Sequence, residues 1–393
     1  MPHYHYLIVG GGMTADAAIR GIREADSDGS IGLVGTETER PYNRPPLSKG
    51  LWKGKAIDSI WRGTDATDAA LHLGRTVVHL DPPNRRVIDD QGAEYTYDQL
   101  LLATGGTPRR LPFGGDHILY FRTLQDYLAL RGLTERGRRF AVIGGGFIGS
   151  EIAAALAMNG KEVVLFLAGE NIGEGIFPPG LARFVTDYYR QRGVEVLANS
   201  TVTGLEADGQ RCLLRTQNGQ TVAVEGVVAG IGIEPNTRLA EAVGLKVDHG
   251  ILVDVSLRTS APEIYAAGDA ARFYNPDLDK YLRVEHEDNA NTMGRAAGRA
   301  MAGASDPYHH LPFFYSDLFD LGYEAVGELD PSLELIADWQ EEPYRKGVVY
   351  YLREGRVRGV LLWNLWEQVD AARALIREPG PFRAGDLMGR LAT

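Results

Sequence analysis

Two short runs of the chain share one arrangement of small residues. Gly10-x-Gly12-x-x-Ala15 follows the apolar run "YLIV", and Gly144-x-Gly146-x-x-Gly149 follows "FAVI". Each opens a segment with apolar residues at three- and four-residue spacing. In such an arrangement the first glycine makes a tight turn and the second lets a pyrophosphate approach the backbone. The third small residue lets helix and strand come close together. The helix then offers its first N–H groups and the positive end of its dipole to the phosphates. One such fingerprint is weak evidence. Two copies, each set between strand and helix, point to dinucleotide binding twice in one polypeptide.

A carboxylate near the end of the second strand of such a unit holds ribose hydroxyls. Glu37 in "VGTETE" stands there in the first unit. In the second unit Leu167 and Ala168 occupy the usual place of the acid, and Glu170 follows slightly late. No Lys or Arg lies between Lys161 and Arg183, whereas Glu170 and Glu174 do. A 2′-phosphate would meet repulsion there, which favours NADH over NADPH.

These residues need strands and helices to hold them. Residues 4–35 read as strand, glycine turn, helix and strand, with Ala15, Ala18, Ile19 and Ile22 on one helix face. Residues 139–167 repeat the plan, and Gly160 stops the helix. Hairpin-like pairs follow in "RRVIDDQGAEYTYDQLLLATGG" and in "RCLLRTQNGQTVAVEGVVAGIG", the latter with Asn218-Gly219 as its turn. The fold class is therefore α/β, with two related Rossmann-like dinucleotide-binding domains. After residue 236 come two short strands, a Gly-Asp pair and a helix over "VEHEDNANTMGRAAGRAMAG" ended by Gly303. From residue 309 a third, α+β region is strand-rich and aromatic, closing on the helix "EQVDAARALIRE".

The 393 residues leave room for two or three domains. Hydrophobic residues make up 44% and charged residues 24%, ordinary values for a globular protein. The net charge of −11 argues against binding nucleic acid or an anionic membrane through the whole surface. The cluster Arg131, Arg136, Arg138 and Arg139 reads as a solvated helix and loop. Cys212 is the one cysteine, so no disulfide forms within the chain; this suits the cytoplasm, and "RCLLRT" makes Cys212 a small buried hydrophobe. The N-terminal "MPHYHYLIVGGG" lacks the pattern of a signal peptide, and no apolar run approaches a membrane span. Trp363 and Trp366 read as core, and His309-His310 as loop without a partner.

The stretches "PYNRPPLSK", "LLATGGTPR", "GGGFIGSE", "IYAAGDAARF" and "RVEHEDNANTMGRAAG" resemble the flavoproteins with two dinucleotide-binding domains. Within that family they look most like apoptosis-inducing factor and the FAD-dependent ferredoxin reductases. "GENIGEGIFPPG" and "FYSDLFDLGYEAVG" lean toward the former. The resemblance implies a split FAD domain over 1–114 and 236–308, an inserted NAD domain over 115–235, and a C-terminal interface domain over 309–393. It implies FAD beside Gly10, Gly12, Met13, Thr14 and Ala15, with Glu37 at the adenosine ribose. Arg44, Lys49, Val78, Ala103, Thr104, Gly105 and Arg122 match further FAD-contacting positions, and Gly268 and Asp269 match the ribitol site. Glu285 and His286 are implied beside the isoalloxazine. Gly146, Phe147, Ile148, Gly149, Glu170 and Gly232 match the NAD side.

The resemblance also sets Lys49 against Glu151 near the hydride-accepting nitrogen of the flavin, so that Lys49, Glu151 and His286 carry the catalytic expectation. The prolines of "NRPPLSK" stiffen the loop that presents Lys49. Tyr315 matches the position beside the flavin where members of the family usually carry tryptophan, a departure from their pattern; from the residues alone it reads equally as an aromatic core residue of a strand. The carboxylates of "EHED" occupy adjacent helix positions that face different directions, so no metal is expected.

Disulfide reductases and peroxidase-like members of the family need cysteine after the first glycine loop. Here that region reads "RPPLSKGLW", so no enzyme sulfur relays electrons. They leave from the flavin, to a ferredoxin-type carrier, a quinone, oxygen or a dye. The expected activity is an NADH-dependent FAD oxidoreductase feeding a one-electron carrier, cytoplasmic and with a homodimer open to it. The alternative is a redox-sensing protein resembling apoptosis-inducing factor, with slow NADH oxidation and NADH-dependent assembly. A nucleotide-binding structural protein without turnover is the third reading.

Overall fold

The computed structural model describes residues 1–209, 211–341 and 344–391. The chain divides into two compact units: residues 1–43, 57–107 and 234–312 form one, and residues 44–56, 108–233 and 313–393 the other.

The first unit is built on a sheet in the order 70–73, 31–35, 3–9, 94–102, 86–89, 77–81, with 264–266 also lying along 94–102. The strands at 3–9, 31–35, 70–73, 94–102 and 264–266 run parallel. Their sequences explain this. "LIV" at 7–9 and "LLL" at 100–102 are apolar without alternation, as strands buried on both faces must be. Leu7, Ile8, Leu100 and Leu101 have no exposed surface, and each such side chain contributes roughly 1.5–3 kcal/mol by leaving water.

The helix Met13–Ala25 buries Ala15, Ala18, Ile19 and Ile22 completely, the face anticipated from their spacing. The helix Glu287–Met301 lies against it at backbone distance. A Cβ on Gly298 would stand 2.0 Å from the carbonyl oxygen of Ala18, one on Gly294 2.4 Å from that of Thr14, and one on Gly21 2.1 Å from that of Arg295. Three glycines therefore set this contact. The helix starts at Glu287, later than the quoted sequence run, so Glu285 precedes it and His286 is its N-cap. Beyond the two short strands anticipated after residue 236, the pair Ala271–Asn275 and Lys280–Leu282 follows the Gly-Asp turn.

In the second unit a parallel sheet takes the order 194–197, 162–166, 139–143, 226–229, 118–120. The helix Phe147–Met158 follows its glycine turn and ends before Gly160, which adopts φ +73°. An antiparallel sheet of 202–208, 211–216 and 221–224 is joined at its second turn through Gly219. A five-stranded antiparallel sheet, 313–318, 321–327, 356–363, 346–353, 334–341, carries the C-terminal region, with helix Val369–Arg377 against it. Trp363 is fully buried in this sheet, whereas Trp366 is exposed: it lies past the strand end, where its ring edge covers Gly322. Among the described residues no helix is long and apolar enough to cross a membrane.

Candidate functional site

In the first unit, three turns gather at the carboxyl ends of neighbouring strands. Gly10 adopts φ +128°, and a Cβ on it would lie 2.1 Å from the carbonyl oxygen of Ala103. Gly268 adopts φ +74° against the hydroxyl of Thr14, 2.3 Å from a Cβ placed there. No larger residue fits either position. The turns bearing Gly10, Gly12, Met13, Thr14, Ala15, Ala103 and Gly268 thus meet around the start of one helix. Thr104 and Gly105 are pinned by Asn236, whose side-chain N–H donates to the Thr104 carbonyl at 2.9 Å while its backbone N–H donates to Gly105 at 2.9 Å. Nothing in the sequence had singled out Asn236.

Around the same helix, Asp16 is fully buried and accepts from Arg20 at 3.0 Å, Arg62 at 2.7 Å and Thr64 at 2.6 Å. Burial alone would raise its carboxyl pKa; the hydrogen bonds from Arg20, Thr64 and Arg62 outweigh it and hold the group below the usual range. Arg62 also donates to Asn43 at 2.6 Å and to Asn291 at 2.9 Å, so one guanidinium ties the glycine-loop helix to two further segments.

Other anticipated residues of this unit lie as follows. Glu37 accepts from the Tyr42 hydroxyl. Asp269 is buried, and its carbonyl accepts from Arg283, which also pairs with Glu285 at 2.7 Å. Val78 is an exposed strand residue at 58%. Asp288 bonds His310 at 2.6 Å, so His310 has the partner its sequence context did not suggest. Glu285 and Asp288 thereby each engage a different side chain. Among the described residues no cluster of three His, Cys, Asp or Glu could hold a metal.

In the second unit, the glycine turn at 144–149 is equally tight. A Cβ on Gly149 would lie 1.9 Å from the Gly144 carbonyl oxygen, whereas one on Gly146 would meet nothing within 4 Å. The backbone is therefore closed where helix meets strand and open where a pyrophosphate would approach. Neither Gly12 nor Gly146 has a side chain to cap the helix it opens. Both cradles fit a dinucleotide. Phe147 packs edge-on to Phe314 at 5.4 Å, and Gly232, at φ +92°, accepts from the Arg109 N–H.

The same unit brings Lys49 and Glu151 together. Two short 3-10 turns, Pro45–Leu47 and Gly50–Lys53, flank Lys49. Trp52 anchors them: its indole donates to the Leu47 carbonyl at 2.8 Å, its ring meets Tyr127 at 5.6 Å, and Arg131 lies over it at 5.0 Å. Arg44 at the start of this loop donates to the Arg122 carbonyl. The Lys49 ammonium stands 2.6 Å from Oε1 of Glu151, and Ser316 donates to that same oxygen at 2.6 Å. Ser48 donates to Oε2 at 2.5 Å.

Glu151 is only 3% exposed. Three hydrogen bonds compensate a charge that would be prohibitively costly unpaired. Burial, reinforced by the charge of Glu151, pushes the phenols of Tyr189 and Tyr323 well above their ordinary pKa. The ammonium also lies over the Tyr315 ring at 5.0 Å. Tyr315 thus faces the lysine rather than a core. Ser48, Ser316 and Trp52 carry no sequence signal of their own, and Ser316 is 165 residues from Glu151.

The family described as pyridine nucleotide-disulphide oxidoreductase matches residues 4–294. This chain belongs to it. The C-terminal family of apoptosis-inducing factor, mitochondrion-associated, matches 297–342 and 336–378. The chain is 34% identical to the 5,5'-dehydrodivanillate O-demethylase ferredoxin reductase subunit of Sphingobium sp., over 96% of this chain and 94% of that one. It is 31% identical to the putative apoptosis-inducing factor 1, mitochondrial, of Drosophila melanogaster, over 96% of its own residues, and spans 63% of the length of that relative. A crystal structure of the covalent putidaredoxin reductase–putidaredoxin complex superposes with a TM-score of 0.91 at 31% identity, covering 98% of this chain and 95% of that one. As a member of the pyridine nucleotide-disulphide oxidoreductase family the chain is an oxidoreductase, with FAD and a nicotinamide nucleotide as its cofactors.

Proposed function

We propose that this enzyme takes reducing equivalents from NADH and passes them singly to a ferredoxin-type iron–sulfur protein. FAD, when bound, supplies the ability to accept two electrons together and release them one at a time. Everything else is the work of the chain. The glycine turns at 10–15 and 144–149 hold two dinucleotides by their phosphates. The buried Glu151 fixes the Lys49 ammonium at one point, where a positive charge favours negative charge on a reduced ring system. Tyr315 covers the same ammonium on one side. The observation that carries the reading is this fixed, desolvated Lys49–Glu151 pair presented by a stiff loop.

Disulfide chemistry through an enzyme thiol is inconsistent with the sequence. Cys212, the one cysteine, is buried in a strand and burial raises its thiol pKa. The reading is further supported by relatives named as ferredoxin reductases along nearly their whole length. A cytoplasmic location, a quinone as another acceptor and a homodimer belong to the same reading. The single cysteine suits a reducing compartment.

A second reading is a redox-sensing protein similar to apoptosis-inducing factor, favoured by the match of that C-terminal family to residues 297–378. Anaerobic stopped-flow reduction of the FAD-loaded protein by NADH, followed by a panel of acceptors, separates the two. Fast reduction with turnover on a ferredoxin supports the first. Slow reduction, a persistent long-wavelength band and a change of mass on light scattering support the second and overturn the first.

A further inference from the structure

Glu174 occupies a place that its sequence position does not announce. The strand Glu162–Phe166 ends into Leu167, Ala168 and Gly169, none of them acidic. In a strand–turn–helix–strand unit this end is where a carboxylate meets the adenosine ribose. Gly169 has no side chain, and a Cβ built on it would lie 1.6 Å from Oε1 of Glu174 and 2.6 Å from Oε2. The carboxylate of Glu174 thus fills the space that a side chain at 169 would take.

It is held there. The backbone N–H groups of Glu170 and Asn171 donate to Oε2 at 2.9 and 3.2 Å. Among the described residues Oε1 accepts no hydrogen bond, and the residue is exposed. The loop itself is fixed on three sides. Gly173 donates to the Gly145 carbonyl at 3.1 Å, joining the loop to the glycine turn; Asn199 donates to Gly169 at 2.8 Å; and the Ile172 N–H donates to Thr186 at 2.9 Å. No Lys or Arg between Lys161 and Arg183 offsets the charge.

We infer that Glu174 supplies the acid missing from the strand end, accepting from the ribose hydroxyls of NADH and excluding the 2′-phosphate of NADPH. The inference rests on the NADH reading above. Glu170, the acid nearer the strand in sequence, lends its backbone N–H to hold Glu174.

The test is calorimetric titration of the FAD-loaded protein with ADP-ribose and with its 2′-phosphorylated form, alongside kcat/KM for NADH and NADPH. Glu174→Gln should shift both ratios toward the phosphorylated ligand by about tenfold. Asp187→Asn, which removes a charge from the exposed face of the following helix, should leave them in place. The double variant Gly169→Asp/Glu174→Ala should restore discrimination against the phosphate, since the new side chain then enters the vacated space. Unchanged ratios in Glu174→Gln, or a larger shift in Glu170→Gln, overturn the inference while leaving the NADH reading intact. A parent protein that binds neither ligand overturns the NADH reading itself.

Discussion

A carboxylate sealed from water survives only by what surrounds it, and Glu151 shows the terms. Lys49, Ser48 and Ser316 each donate to it within 2.6 Å. Lys49→Met leaves that charge without its counter-ion, and a loss of about 3–5 kcal/mol in chemical denaturation is expected. Lys49→Met combined with Glu151→Leu should recover most of that stability without recovering the rate at which NADH reduces the flavin. A double variant that regained the rate would show that the pair serves stability alone. Glu324 is the contrary case. Among the described residues its Oε2 is buried without a partner, and burial raises its carboxyl pKa by more than a backbone hydrogen bond from Glu367 lowers it. A raised folded-state value means that the ionised form opposes folding above it. Glu324→Gln should therefore raise the urea midpoint at pH 7, with the gain shrinking as pH falls to where the native carboxyl is protonated.

The same substitution in two helices should act with opposite sign. Gly298 faces backbone atoms of the helix Met13–Ala25, 2.0 Å from where its Cβ would stand, while Gly132 in the helix Leu124–Arg136 faces open space. Gly298→Ala is expected to cost about 1–3 kcal/mol because backbone cannot move aside. Gly132→Ala should stabilise by about 1 kcal/mol through helix propensity. Thermal unfolding midpoints that moved in the same direction would refute the close-contact account. From sequence both glycines look like weak points in a helix; only their neighbours separate them.

Across the whole chain the depressed carboxyls govern the response to acid. Backbone N–H groups of Gly29 and Asp28, with the Tyr6 hydroxyl, hold Asp26 at about 2. Backbone N–H groups of Arg139 and Arg138 hold Glu225 low, and Asp16 and Asp89 are kept low by hydrogen bonds that outweigh their burial. A folded-state value below the unfolded one of about 4 contributes stability that is complete above about pH 5. That contribution is lost as pH falls through the folded values. Urea midpoints measured against pH should hold down to about 5 and drop steeply between about 4 and 2. A midpoint that rose on acidification through that window would contradict the assignment.

The two strand–glycine–helix units, their apolar strands and the C-terminal strand-rich region were legible in the residues alone. Period and glycine spacing are local properties, and glycine at positions 10 and 144 permits the positive φ that those turns adopt. His310 lies in a loop as its residues suggest, but its partner Asp288 and the exposure of Trp366 past the strand end over Gly322 escape the sequence, because both depend on residues distant along the chain. Ser316 reaches Glu151 across 165 positions, and Asn236 reaches Thr104 across 132. Glu174 sits only five residues from Gly169, yet its placement depends on a loop pinned to the glycine turn. Sequence by itself determined which backbone could cradle phosphates. Tertiary structure decided which side chains stand beside those cradles, because hydrogen bonds and close contacts are set by distance in space, and the chain closes that distance only when it folds.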